Sequence, residues 1–372
     1  MQPIDFRRHL HAHPELSFRE EATAAFIEAQ LAAAGIACRR IAGTGVLARI
    51  EGSLARPDIE QPAVVLRADI DALPIVEQTG LACTSQNAGV MHACGHDLHA
   101  AVLFGVLQRL AAAPDFAGTL FGLFQPGEEC NPGGASLVLQ EHPFDGYAVR
   151  AVVGEHVEPQ LEVGTLGFRA GKYMAANDEL RFTLHGTGGH GALRAQLKDP
   201  VAAAAELITG LLALNDATCV LSVGRVEAVG ATNVVPDEVD LEGTLRTFDE
   251  TEREELHRRI VALAAAVDRQ HGIRTTVDID RGYPCVVNDA ALVDTAVELA
   301  RNAGLQVERL PLRPTAEDFG YYCQRYPSLF YRLGVGQAAG RPHTAAFSPD
   351  ERAIEVGIDF MHRLAMQLLA EA

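Results

Sequence analysis

Hydrophobic and polar positions change their period along this chain, and the change divides it. Ser17-Phe18-Arg19-Glu20 has the spacing of a capping box, and behind it Ala24, Ile27, Leu31 and Ala34 recur at helical intervals. Gly35 then stands where a C′ glycine closes a helix. Three short apolar runs follow, Ala63 to Leu66, Leu120 to Phe124 and Ala151 to Val153, with a helix pattern from Leu98 to Leu110 between the first two. Buried apolar strands alternating with helices predict a doubly wound, mostly parallel sheet covered on both faces.

Near Ala175 the period becomes two. Leu180, Phe182 and Leu184 alternate with Arg181, Thr183 and His185, which predicts a strand with one wet face. Asp199-Pro200 opens a helix as N-cap and first residue, running to about Leu214. Strands over Val220 to Glu227 and Val239 to Thr247, a charged helix from Glu252 to Gln270 and a strand through Val277 and Ile279 complete a β-α-β-β-α-β order, the ferredoxin-like unit. After Pro284 the first pattern resumes, with a helix from about Asp289, an apolar strand at Leu329 to Leu333 and a last helix from about Pro349 to Leu369. The reading is an α/β catalytic domain over 1–174 and 285–372, interrupted by an inserted α+β domain over 175–284.

Composition narrows the partners. Lys plus Arg number 31 against 49 Asp plus Glu, a formal charge of −18, which repels phosphate backbones and weighs against nucleic acid. No run approaches the ~18 apolar residues of a membrane span, and no basic segment followed by an apolar one opens the chain. Seven scattered Cys do not form a disulfide framework. The expectation is a cytoplasmic protein without nucleic-acid or membrane partners.

Fourteen His are unusual, and their placement carries the chemistry. Met91 to His99 holds three His, Cys94 and Asp97 in nine positions, with Gly95 letting the chain bend until Cys94 and His96 face one centre. Glu128-Glu129 follows one apolar strand and Glu155-His156 another, and Arg67-Ala68-Asp69 follows a third. Strand ends at one sheet edge are where open α/β sheets bind ligands. His343, after the strand ending at Leu333, is positioned to join them. Cys94, His96, Glu129, His156 and His343 make five donors, too many for one catalytic zinc but enough for two ions if one donor bridges. Glu128, beside a donor, can take and return a proton.

Longer motifs carry a family likeness. His13-Pro14-Glu15-Leu16, Arg67 through Pro74, Met91 through Asp97, Gln125 through Glu129, Gly188-Gly189-His190, Asn233 through Pro236, Gly243 through Thr247 and Glu317-Asp318-Phe319 occur in order. Together they resemble the aminoacylase/carboxypeptidase class of dinuclear metallopeptidases, in the branch of hippurate hydrolases, N-acyl-amino-acid amidohydrolases and auxin-conjugate hydrolases. The resemblance implies that Cys94, His96, Glu129, His156 and His343 hold two divalent ions (Zn, Mn, Co or Ni), with Cys94 between them and Glu128 as general base. It implies that Asp69 orients a ligand His, and that Arg67 stands where sister branches carry a metal-binding His. It further implies that His190 reaches a neighbouring subunit's site and steadies the tetrahedral intermediate. Asn233 and Arg246 would hold a substrate carboxylate, and the inserted domain would serve as lid and homodimer contact. The expected reaction is hydrolysis of the amide of an N-acyl-amino acid or a small dipeptide-like substrate. A non-catalytic metal-binding protein on the same fold and a two-metal phosphoesterase are the rival readings. Three departures stand out: Glu155 replaces an apolar residue and is expected to add charge beside the metals, Gly191-Ala192-Leu193-Arg194 lacks the family's usual downstream proline, and Thr344 follows His343 in place of Ser.

Overall fold

The computed structural model describes residues 1–54 and 61–370. Along the chain lie α1 (Pro3–Ala12), α2 (Glu21–Ala33), β1 (Ala37–Ile41), β2 (Gly45–Glu51), β3 (Gln61–Asp69), α3 (His96–Ala112), β4 (Thr119–Gln125), α4 (Gly134–Gln140), β5 (Tyr147–Glu158), β6 (Thr165–Phe168) and β7 (Gly171–Met174). Then come β8 (Ala176–His185), β9 (Gly189–His190), α5 (Pro200–Leu212), β10 (Cys219–Glu227), β11 (Val234–Val235), β12 (Glu238–Thr247), α6 (Glu250–His271) and β13 (Arg274–Arg281). The chain ends with β14 (Val286–Asn288), α7 (Ala290–Asn302), β15 (Gln306–Arg309), α8 (Gly320–Cys323), β16 (Ser328–Gly334) and α9 (Ala353–Ala370). Among the described residues no helix is long and apolar enough to cross a membrane.

Two compact units result, one of Met1–Gly171, Val287–Pro311 and Asp318–Ala372, the other of Lys172–Val286 and Leu312–Glu317. The short return segment joins the second unit through backbone: Ala175 N–H donates to Arg313 O at 3.0 Å and Thr315 O at 3.2 Å.

The first unit is α/β, built on an eight-stranded sheet ordered β1-β2-β4-β3-β5-β16-β6-β15. Its centre is parallel, β4 beside β3 beside β5 beside β16, and β1-β2 form an antiparallel hairpin at one edge. The apolar runs read from the sequence are the cores of β3, β4, β5 and β16, where a strand covered on both faces has no reason to alternate. Along β5, Ala151, Val153 and Val157 join the core that contains Leu98 and Val102 of α3 and Ile358 and Leu364 of α9. Residue 155 shares their parity and turns into that core; residue 156 turns away.

Four local expectations are corrected. Ser17 and Glu20 do not form a capping box: α2 has Glu20 at its N-cap with no side-chain cap bond, and the Ser17 hydroxyl donates instead to Asp71 Oδ2 at 2.7 Å. Tertiary acceptors outcompete the local helix end. Arg67 and Asp69 are the last residues of β3, and Glu155 and His156 lie within β5; none of these follows its strand. The last helix starts at Ala353, later than Pro349. The sequence reading also passed over α1 and the β1-β2 hairpin; β1 is interrupted by Arg39-Arg40, and the apolar run of β2 is only Val46 to Ala48.

The second unit has an antiparallel sheet ordered β10-β12-β8-β13. Leu180, Phe182 and Leu184 of β8 bury against Ala203 and Leu207 of α5 and Leu256 and Ile260 of α6. Asp199 and Asp249 cap α5 and α6 by accepting from the first-turn amides, the use for which short acceptors at those positions are suited.

Candidate metal centre

The centre forms where β3, β4 and β5 of the first unit end, together with the loop before α3. Gly95 precedes α3 with φ of +92°, and a Cβ there would stand 2.6 Å from Val157 Cγ2. Only glycine lets the Cys94 loop approach β5 so closely. Cys94 Sγ, buried, lies 3.4 Å from His156 Nε2 and 3.3 Å from His343 Nε2. His343 Nε2 is also 3.1 Å from Glu129 Oε1. His343 adopts the left-handed region, φ +61°, and its amide donates to Ala93 O at 2.8 Å, so its loop is tied to the Cys94 loop. The backbone strain is spent at the site, as is common for functional residues.

Three groups of donors bring their ligand atoms within 4.8 Å of one another here: Cys94, His96 and His156; Cys94, Glu129 and His343; and His96, Glu128 and Glu129. The first two share Cys94, the arrangement a bridging thiolate requires. The imidazoles are set for it. His96 Nδ1–H donates to the Asp71 carbonyl at 2.9 Å, and His156 Nδ1–H to Val157 O at 2.8 Å. In both rings Nδ1 is thereby committed to a carbonyl, and Nε2 is left to face the centre. Although buried, His96 Nε2 has no hydrogen-bond partner. A buried polar atom without a partner costs about 1–3 kcal/mol, and a cation there removes the deficit.

The electrostatics of the donors ask for positive charge. Burial raises the Cys94 thiol, and the facing Glu129 raises it further. Burial disfavours charge on His96, yet Asp69 and Cys94 outweigh it and pull the imidazole well above its usual range. The hydrogen bonds from His343 to Cys94 and to Glu129 push that imidazole up to about 10. Protons are drawn to the positions where divalent ions would otherwise balance the acids. The donor set therefore fits metal.

A fourth group, Asp69, His96 and His99, also lies within 4.8 Å, but the atoms of Asp69 and His99 are occupied. Asp69 Oδ1 accepts from His99 Nδ1 at 2.6 Å and Oδ2 from Arg67 Nη1 at 2.6 Å. His99 Nε2 accepts from Val157 N–H at 2.9 Å. His99 is a neutral, fully bonded imidazole. Asp69 thus orients His99; the carboxylate that touches the ligand ring His96 is Asp71, through Oδ1 at 3.1 Å. Asp71 Oδ2 also accepts from Glu129 N–H at 2.9 Å, so one acid fixes two donors. The sequence reading gave Asp71 and His99 no role. Asp71 was signalled by its place two residues past a strand that already ends in an acid.

Glu155 turns away from the donors. It faces the core, accepts from Tyr331 Oη at 2.7 Å, and burial pushes its carboxyl up to about 8. Arg67, buried, donates to Asp69, to Gln125 Oε1 at 3.0 Å and to Asp318 Oδ1 at 2.8 Å.

Glu128 is buried, with Oε2 4.0 Å from His96 Nε2. His190, Asn233 and Arg246 belong to the second unit. His190 on β9 and Asn233 just before β11 are exposed, and Gly191 N–H donates to Asn233 O at 2.9 Å beside that two-residue ladder. The His190 Nδ1 accepts from Ala192 N–H at 3.2 Å, which leaves the proton on Nε2. Arg246, on β12, is half-buried, has no carboxylate partner among the described residues, and is lowered by that burial.

The sequence model of peptidase family M20/M25/M40 matches residues 65–367. Identity is 38% over 376 residues with an N-acetyl-L-cysteine deacetylase of Bacillus subtilis (strain 168), covering 99% of this chain and 88% of the relative. It is 40% over 295 residues with an N-acyl-L-amino acid amidohydrolase of Geobacillus stearothermophilus, 77% of each chain. Among solved structures, a dinuclear metal binding peptidase of the M20 family from Bacillus subtilis superposes with a TM-score of 0.87 at 35% identity, covering 99% of this chain and 97% of that one.

Proposed function

The chain belongs to peptidase family M20/M25/M40, and from that premise we propose that it hydrolyses the amide bond of N-acyl-amino acids. The observation that carries the reading is the pair of donor groups sharing Cys94, with Glu128 beside them. Cys94, His96, Glu129, His156 and His343 would hold two divalent ions, of Zn, Mn, Co or Ni. Such a pair supplies Lewis acidity toward the carbonyl and lowers the pKa of water to roughly 7.

The chain's own residues do the rest. Glu128 takes the proton of the attacking water and returns it to the leaving amine nitrogen, so one carboxylate serves both halves of the reaction. Asp71 and Asp69 keep His96 and His99 in the tautomers described above. His190, whose Nδ1 accepts from Ala192 N–H, would serve a partner subunit's site, its Nε2 turned to the oxyanion. Asn233 and the unpaired Arg246 are suited to a substrate carboxylate, which the Arg fork can grip with two hydrogen bonds. A phosphoesterase reading is disfavoured because Arg67, the chief cation at these strand ends, is committed to Asp69, Gln125 and Asp318.

The second unit is proposed as lid and as homodimer contact. In support, the edge strand β10 exposes Val220 and Val226, and α5 exposes Val201 and Leu212. The reading also places the protein in the cytoplasm, where its seven free thiols, Cys94 included, stay reduced. The test is a screen of N-acyl-amino acids and dipeptides on metal-free protein restored with each ion in turn. Turnover of N-acyl-amino acids only after metal is restored is expected; dipeptides cleaved alone would overturn the substrate class.

A further inference from the structure

We propose that Glu20 is a positioning residue for the reaction: it sets where the Glu128 carboxylate stands by gripping the backbone of the turn that carries it. The inference rests on the reading of Glu128 as general base.

Glu20 has no exposed surface, and a carboxylate there is costly unless it is fully hydrogen-bonded. Helix α2 gives no reason for that cost, because Glu20 makes no side-chain cap bond to it. Its two oxygens go elsewhere. Oε2 accepts from Thr44 Oγ1 at 2.5 Å, in the turn of the β1-β2 hairpin, and Oε1 accepts from Gly127 N–H at 2.8 Å. Gly127 immediately precedes Glu128.

The turn is held on every side. Gly127 takes φ of +59°, and a Cβ on it would meet the Phe18 ring at 2.3 Å, so the residue is both left-handed and pressed against the segment leading to Glu20. Gly127 O accepts from Gly134 N–H at 3.0 Å. Beyond Glu128, Glu129 N–H donates to Asp71 Oδ2 at 2.9 Å. The backbone amides flanking Glu128 thus each end on a buried carboxylate, Glu20 before and Asp71 after. Asp71 also serves the metal donors; Glu20 touches none of them. Its contacts are Thr44 and the Gly127 amide, so metal content is the readout that separates an effect on the base from an effect on the ions.

The test compares Glu20→Ala, Glu20→Gln, Thr44→Val and Glu128→Gln, with the double variant Glu20→Ala/Glu128→Gln. Each is metal-reconstituted, assayed on the N-acyl-amino acid that the wild type cleaves fastest, and analysed for metal content. Misplacing a catalytic group by an ångström costs on the order of 10²-fold, so Glu20→Ala is expected to lower kcat by about 10–100-fold with KM and metal content unchanged. Glu20→Gln keeps an acceptor for Gly127 and gains a donor toward Thr44, and should stay within about threefold of wild type. In the Glu128→Gln background, Glu20→Ala should cost nothing further, because the group it positions no longer accepts a proton.

Wild-type kcat in Glu20→Ala, or an equal loss in both backgrounds, overturns the proposal while leaving Glu128 as base. Full turnover in Glu128→Gln overturns the base reading itself, and this proposal with it. If Glu20→Ala does not fold, Thr44→Val decides: a several-fold loss of kcat with metals retained supports the grip, and an unchanged kcat overturns it.

Discussion

Asp178 in the second unit and Cys94 in the first both sit among buried titratable groups, yet the two clusters leave different things unmade. Asp178 accepts from Arg253 Nε at 2.9 Å, from Arg253 Nη2, from His257 Nε2 at 2.6 Å and from Gly282 N–H at 3.3 Å. Arg253 is held in turn by Glu250 at 3.0 Å and by the Gly282 carbonyl. Every charge there has its complement. At Cys94 the donors are oriented just as firmly from behind, by Asp71 and by the Val157 carbonyl, but in front the His96 Nε2 has no partner and a thiol faces two imidazole nitrogens. Burial and charge density are common to both. What separates a site from a strut is a set of atoms held in place from one side and unsatisfied on the other.

The comparison breaks first if the unsatisfied cluster does no chemistry. Glu128→Gln should keep fold and metals and lower kcat by about 10²–10⁴-fold, since an amide cannot accept the proton. A metal-loaded variant with near-normal kcat would remove Glu128 from that role. Next, Cys94→Ser should weaken both ions together, because Cys94 belongs to both donor groups. Titration of metal-free protein with Co(II), followed in the visible spectrum, reads this directly. Loss of one ion with the other unchanged would contradict a shared thiolate.

The satisfied cluster should answer in stability alone. Asp178→Asn leaves Arg253 with Glu250 as its remaining acid and should cost about 3 kcal/mol, the low end for a broken buried pair. Metal content and KM should not change. Burial raises the Asp178 carboxyl, but its bonds from His257 and Arg253 outweigh that and hold it below the usual value. A depressed carboxyl stabilises the fold above its unfolded pKa of about 3.9, and the contribution is lost as pH falls through the folded value. The wild type and Asp178→Asn should therefore converge in denaturant midpoint below about pH 4. A gap that stays constant with pH would mean the aspartate is not ionised in the folded protein.

How much of this was legible in the chain follows from what each pattern encodes. Continuous apolar runs gave β3, β4, β5 and β16, and Asp199 gave the start of α5, because burial on both faces and capping are local demands. The donors could be gathered by type and by their nearness to strand ends. Which carboxylate serves which ring could not be read, since Asp69 and Asp71 are two residues apart and differ only in how β3 ends. Glu20 looked like a capping residue because its local spacing is right; the acceptors' true partners, Thr44 and Gly127, are 24 and 107 residues away.

Glu155 is where the comparison can be sharpened at smallest effect. Its Oε1 has no hydrogen-bond partner, as His96 Nε2 has none, so a missing partner by itself would class it with the site. Its position argues otherwise. Because β5 continues to Glu158, strand parity turns Glu155 into the core beside Tyr331 while His156 faces Cys94. Burial raises its carboxyl to about 8, so at pH 7 it is mostly uncharged and sends little field toward the donors. Glu155→Gln has nearly the same shape, keeps an acceptor for the Tyr331 hydroxyl and is neutral at every pH. The expected change in kcat/KM at pH 7 is under about twofold, or less than roughly 0.4 kcal/mol. Metal content should also stay the same. A tenfold change in kcat/KM, or loss of an ion, would mean that the charge of Glu155 reaches the centre, and that facing away within one strand is not enough to separate a core residue from a site.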